Sequence, residues 1–226
     1  MTAECPPVAI IMGSQSDWAT MKHAADVLDQ LGSPNQALKP FVRPLDEASI
    51  LCGFARTGLY MKRYHFPEGH NPYALEMDLI DSLAPGEIAV LACDGPTDRI
   101  APWGELLTTA SMVRGAAGCL TDGLVRDVRR IRELNFPLFH GGIGPLDTKG
   151  RAEMMAKDEP VEVAGARVEP GDFIFGDADG VVVVPKRLFR EAVTLALSKI
   201  EAEDTTRDEL LAGASLRAVF ERHGVL

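Results

Sequence analysis

The chain has 226 residues, 46% of them hydrophobic, and a formal net charge of −10. Such a chain can bury a substantial core in one domain or a domain plus an appendage, while the acidic balance excludes a nucleic-acid-binding surface, which needs clustered Lys and Arg. No apolar stretch approaches the roughly 20 residues of a membrane span, the N-terminal apolar run lacks the basic flank of a secretory signal, and Cys5, Cys52, Cys93 and Cys119 show no paired spacing, so a reducing cytoplasm is the expected setting.

Pro7 to Met12 reads as a buried strand, followed by Gly13-Ser14-Gln15-Ser16-Asp17 and a helix to Leu31 that Gly32 stops. Residues 33 to 46 are a Pro-punctuated connection, Ser49 to Met61 is strand-like, and Lys62 to Pro72 is a loop. His65, Glu68 and His70 lie in that loop, where Pro67 and Gly69 exclude the helical spacing of zinc hydrolases. A helix to Leu83, a turn at Ala84 to Glu87 and an apolar strand from Ile88 to Cys93 follow.

The segment from Trp103 to Asp127 is the most informative. Trp103, Leu106, Leu107 and Ala110 have the spacing of a helix with one buried face over 102–114, with Pro102 suited to its first turn. The N–H groups of Gly104, Glu105, Leu106 and Leu107 then lie unpaired near a helix start, a seat for a carboxylate. Ala116 to Leu120 reads as a buried strand, Asp122-Gly123 as a turn, and Arg126-Asp127 as the start of a second helix with Val128, Ile131 and Leu134 on one side. A cation and a carboxylate thus share one strand end. Two readings stay open: Arg126-Asp127 as a helix-start ion pair or a substrate grip, and Glu105 as a solvated first-turn carboxylate or a base.

Leu138 to His140 is another strand, with His140 either lining a pocket or satisfied at an edge. From Val161 short strands and tight turns suggest a small antiparallel β unit, with Asp172, Asp177 and Asp179 as turn formers. Pro185 opens a helix, and a final helix runs from about Thr206 to Arg222. The class is α/β with a mixed sheet.

The blocks ADVLDQLG (Ala25 to Gly32), WGELL, DGLVRD, Pro137-Leu138-Phe139 and VEPGDFIFGDADGVVVVP (168–185) resemble, in order, the family of the regulator of ribonuclease activity A and the metal-dependent 4-hydroxy-4-methyl-2-oxoglutarate aldolases. The resemblance covers residues 24–226 and implies a layered α/β/α swivelling domain that assembles as a homotrimer or homohexamer. It further implies a lyase that cleaves 4-hydroxy-2-oxo dicarboxylic acids through a pyruvate enolate or decarboxylates oxaloacetate, with Mg²⁺ or Mn²⁺ as cofactor. Aldolase members carry an acidic residue, twenty intervening residues and Arg-Asp. Glu105 and Arg126-Asp127 have that spacing here, with Glu in place of Asp, and Arg130 stands where those members have a further acid. The resemblance assigns the substrate carboxylate to Arg126 with amides 104 to 107, the metal to Asp127, and a further carboxylate to a neighbouring subunit, for which Glu201 and Glu203 are candidates. A hard divalent ion on the 2-oxo oxygen, and an Arg that grips a carboxylate bidentately, suit the negative charge of that chemistry. The same resemblance allows a non-catalytic ribonuclease-regulator-like binding protein.

Residues 8–31 resemble instead the opening of purE-type aminoimidazole ribonucleotide carboxylases and mutases, whose phosphate loop is matched by Ser14, Ser16 and Asp17. That implies a strand-turn-helix segment over 1–32 joined to a domain over 33–226, with a vestigial phosphate site, and a purine-pathway carboxylase as a third reading. Ser16 and Asp17 read equally as helix N-caps.

Overall fold

The structure, a computed structural model, describes residues 21–93 and 99–224, with side chains except at 21–24 and 197–204. At its centre is β3 (Glu87–Ala92), buried on both faces: Ile88, Val90 and Ala92 join one core, Ala89 and Leu91 another. A strand apolar on both sides belongs in the middle of a covered sheet. It pairs in parallel with β2 (Leu51–Lys62) on one side and β4 (Gly118–Thr121) on the other. Beyond β4 lie β6 (Leu138–His140), parallel, and β1 (Arg43–Pro44), antiparallel at the edge.

The long β2 holds two partners along its other edge. Its first residues pair antiparallel with β11 (Phe173–Asp177), which forms a hairpin with β12 (Gly180–Val184), and its last residues pair with β8 (Ala152–Lys157). The outer strands then approach one another, since Arg43 Nη1 donates to the carbonyls of Ala178 (3.2 Å) and Asp179 (2.8 Å) and Ala37 bridges Val182. The result is a nearly closed mixed sheet. Its interior is filled by the hairpin of β9 (Val161–Val163) and β10 (Ala166–Val168), whose valines pack on Leu51, Ile88, Leu120, Phe139 and Ile174. Burying each such side chain contributes about 1.5–3 kcal/mol.

Helices cover the outside. The helices α1 (Met21–Gln30) and α5 (Phe189–Leu211) flank β11 and β12 through Val27, Leu28, Phe173, Val182 and Ala192. On the other side α2 (Ala74–Asp81), α3 (Glu105–Val113) and α4 (Val128–Leu134) bury Leu79, Ile80 and Ile131 beside Trp103 and Leu138. The last helix is α6 (Leu216–His223), capped by the Ser215 hydroxyl, which accepts the Ala218 N–H at 3.3 Å. Among the described residues no helix is long and apolar enough to cross a membrane, and Cys52, Cys93 and Cys119 are buried.

The α/β class with a mixed sheet and C-terminal helices is as expected, but three details differ. The strands from Phe173 to Val184 are not a unit apart: Phe173 pairs with Phe54 and Gly176 with Leu51, because β11 is buried on both faces and needs cover on each. The last helix starts at Leu216, as α5 continues to Leu211 before Gly213, at φ 93°, turns the chain. Leu106, expected inward, is 76% exposed. Trp103 lies before α3, in a bridge to Val125, so counting helical periodicity from it sets the wrong face; Thr108 and Ser111 point inward instead.

Candidate active site

Three segments meet beyond the carboxyl ends of β3, β4 and β6, the edge at which open α/β sheets hold ligands. In the middle runs β5 (Leu124–Val125). On one side the Leu124 N–H donates to Ile100 O at 3.3 Å and the Arg126 N–H to Trp103 O at 3.0 Å. On the other, β5 pairs in parallel with β7 (Gly142–Ile143), and the Gly144 N–H donates to Val125 O at 3.0 Å. A side chain at 141 would block this meeting, as a Cβ there would lie 2.2 Å from Asp122 O. The pairing brings the residues after Trp103, after Val125 and after Leu146 to one place.

Gly104, the N-cap of α3, touches the Arg126-Asp127 pair directly: a Cβ on it would lie 2.7 Å from Asp127 Oδ2 and 3.1 Å from Arg126 Cζ. The α3 start is itself anchored, since Trp103 Nε1 donates to Thr108 Oγ1 at 2.8 Å, Thr108 Oγ1 donates to Gly104 O at 3.0 Å, and the Trp103 ring stacks on Phe136. Asp127 adopts the left-handed region at φ 59°, uncommon outside glycine though tolerated best by Asp and Asn. That conformation sends its carboxylate to α3 instead of capping its own helix. Oδ2 accepts the Glu105 N–H at 3.2 Å and Arg126 Nη1 at 3.1 Å. The expected seat of free amides at 104 to 107 is therefore partly filled by Asp127. Leu106 and Leu107 keep first-turn N–H groups, which have no intrahelical acceptor, and the Glu105 carboxylate makes no hydrogen bond or ion pair among the described residues.

A second carboxylate faces Arg126. Nη2 lies 3.4 Å from Asp147 Oδ1, in the loop after β7, while Nε is buried and unpartnered among the described residues. Burial pushes the Asp147 carboxyl up, but the Tyr73 hydroxyl that donates to it, the Thr148 and Lys149 N–H groups and the Arg126 charge outweigh that and hold it below the ordinary range. Burial and the same bond to Asp147 push Tyr73, the N-cap of α2, to about 12. One turn on, buried Glu76 accepts the Tyr60 hydroxyl; burial lifts its carboxyl to about 7, with the Asp147 charge adding and the Tyr60 bond and Arg126 opposing.

One guanidinium between two carboxylates leaves a net negative charge, which alone would repel a dicarboxylate and welcomes a divalent cation. No group of three or more His, Cys, Asp or Glu side chains converges as a cation cage among the described residues. The donors fit an ion of the Mg²⁺ kind, which keeps several waters and takes one or two carboxylates. Asp127, with 42% of its side chain exposed, offers such an oxygen.

Other residues fall elsewhere. Ser14, Ser16 and Asp17 lie outside the described residues, as do the side chains of Glu201 and Glu203. Asp122 does more than shape a turn: fully buried, it accepts the Cys93 N–H at 2.8 Å and the Ala164 N–H at 3.1 Å, tying β3 to the β9–β10 turn. His140 is buried with Nδ1 unpartnered among the described residues, and burial followed by the Arg132 charge lowers it to about 4. His70 pairs with Glu153 at 2.6 Å, Asp177 accepts the Asp179 N–H of its turn, and Asp172 accepts the Glu169 N–H of its own turn and the Lys186 N–H after β12. Tyr73, Glu76 and Asp147 carry no motif in the sequence. The one signal for Asp147 is its place after a glycine-rich stretch that follows a strand.

The RraA-like family model, Aldolase/RraA, matches residues 23–183. A Halalkalibacterium halodurans protein provisionally named 4-hydroxy-4-methyl-2-oxoglutarate aldolase is 30% identical over 200 residues, covering 88% of this chain and 88% of that protein. Protein DlpA of Legionella pneumophila is 28% identical over 197 residues, or 87% of this chain, which spans only 31% of DlpA. Among solved structures, Streptomyces coelicolor RraAS2, described as an unusual member of the RNase ES inhibitor RraA protein family, has a TM-score of 0.77 at 28% identity, covering 85% of this chain and 94% of that one.

Proposed function

This chain belongs to the RraA-like family, Aldolase/RraA, and from that premise we propose that it is a divalent-metal-dependent lyase that cleaves 4-hydroxy-2-oxo dicarboxylic acids or decarboxylates oxaloacetate. The observation that carries this reading is the Arg126 guanidinium: among the described residues its Nε is buried without an acceptor while carboxylates hold both Nη atoms. A buried charged donor left unpaired is costly, and a substrate carboxylate would satisfy it with a bidentate, charge-assisted bond. The aldolase name of the Halalkalibacterium relative supports the same chemistry.

In this reading Arg126 grips the 1-carboxylate and orients the 2-oxo group toward Asp127, with the Leu106 and Leu107 amides beside it. Asp127 would hold Mg²⁺ or Mn²⁺, which when bound supplies Lewis-acid stabilisation of the charge that develops on the 2-oxo oxygen. Glu105, directly or through a water, takes the 4-hydroxyl proton. The C3–C4 bond then breaks, its electron pair passes into the C2–C3 enolate, and a proton returned to C3 gives pyruvate and a second oxo acid. Decarboxylation of oxaloacetate breaks the bond to the 4-carboxylate and needs no proton removed by Glu105. Leu106 and Val113, 76% and 82% exposed on α3, suit a face covered by another copy, so a homotrimer or homohexamer belongs to the proposal. Pyruvate release from these acids, with and without Mg²⁺, tests the function.

The likeness to RraAS2 supports a second reading, a non-catalytic binding protein of the ribonuclease-regulator type. Co-purification with an RNA-degrading enzyme, without metal-dependent turnover, would favour it.

A further inference from the structure

We propose that Asp147, held in place by Tyr73, is the positioning residue that sets which edge of the Arg126 guanidinium meets substrate; this rests on the oxo-acid reading above. Asp127 touches only Nη1, and a guanidinium held at one nitrogen can still pivot about that contact. Asp147 supplies the second hold, from a different segment, at Nη2. Its two oxygens divide the work. Oδ2 accepts the Tyr73 hydroxyl and the Lys149 N–H, which leaves Oδ1 turned to Arg126. Tyr73 is itself fixed at the start of α2, where its N–H donates to Asn71 Oδ1 at 3.1 Å.

An arginine has five N–H donors in a planar fork. With one hydrogen on each Nη engaged, the buried Nε–H is presented at a fixed angle, as a near-attack geometry requires. Tyr73 and Asp147 have no role at the reacting carbons in this proposal, which leaves the ion to Asp127. Their loss leaves the charge of Arg126 in place and removes its orientation, so turnover suffers more than binding.

The test compares wild type with Tyr73→Phe and Asp147→Asn in two readouts. The first is kcat and KM for pyruvate release from 4-hydroxy-4-methyl-2-oxoglutarate with Mg²⁺. The second is the water-exchange rate of the Arg126 Nε–H nitrogen-15 signal, identified by its loss in Arg126→Lys. Both variants are expected to lose about 10-fold or more in kcat with KM within about 3-fold, to exchange Nε–H faster, and to unfold at the wild-type temperature. Unchanged kcat and exchange in Asp147→Asn would overturn the proposal, as would a joint collapse of kcat, KM and melting temperature. If wild type releases no pyruvate, the oxo-acid reading fails by itself. The exchange rate then decides the positioning role: faster in both variants upholds it, unchanged removes it.

Discussion

Asp127 Oδ2 accepts the Glu105 N–H at 3.2 Å, so the proposed metal carboxylate is joined to the backbone of the proposed base and not to its side chain. Glu105→Gln keeps that bond and removes only the base. Retro-aldol cleavage is expected to fall about 100-fold, while oxaloacetate decarboxylation stays within a few-fold of wild type. Parallel assays on the two substrates check this, and an equal loss on both would remove Glu105 from the proton-transfer role.

Gly104→Ala tests whether the α3 start and the Arg126-Asp127 pair share one space. The backbone there is extended, at φ −152°, so alanine brings no torsional strain. Its methyl would instead press on Asp127 Oδ2 and the Arg126 guanidinium. We expect kcat/KM to drop by roughly 10–100-fold, since misplacement by about 1 Å costs that much, with a weaker Mg²⁺ requirement curve and a small change in melting temperature. Wild-type kinetics would show that the pair does not need the geometry seen here.

Glu76 sets a pH dependence of stability. Its folded carboxyl, at about 7, lies above the ordinary value of 4.5, so between these values the folded state holds more protons than the unfolded one and stability falls as pH rises. His140, lowered to about 4 from 6.5, works in the opposite direction over much of the same window. The difference in unfolding free energy between wild type and Glu76→Gln isolates the first effect. It should shift against wild type by about 3 kcal/mol from pH 4 to pH 8, measured by denaturant unfolding across that range. A flat difference would contradict the buried, proton-holding state of Glu76.

Asp122→Ala strips acceptors from the N–H groups of Cys93 and Ala164, both buried. Each orphaned donor costs about 1–3 kcal/mol, so a loss of about 2–5 kcal/mol is expected by equilibrium unfolding, and a change under 1 kcal/mol would show that water replaces the carboxylate there.

The legible parts were those written in local pattern. Apolar runs at 88–93 and 116–120 marked the two central strands, and the spacing from Glu105 to Arg126-Asp127 marked the pair that the bridge between Trp103 and Val125 brings together. That bridge itself left no trace in periodicity, which is why Leu106 was expected inside. Asp147 reaches Arg126 through the parallel pairing of Leu124 with Gly142, and Tyr73 reaches Asp147 from the α2 start, contacts between segments far apart in the chain. β8, reading AEMMAK, lacks the alternation that announces a strand, and only its pairing with β2 makes it one.

The most direct test of the account is pyruvate release from 4-hydroxy-4-methyl-2-oxoglutarate and from oxaloacetate as Mg²⁺ is titrated, in wild type and in Arg126→Ala. The account predicts metal-dependent release from at least one of the two by wild type, and a fall of at least about 100-fold in kcat/KM when the guanidinium is removed. No metal-dependent release from either acid, or wild-type turnover in Arg126→Ala, would contradict it.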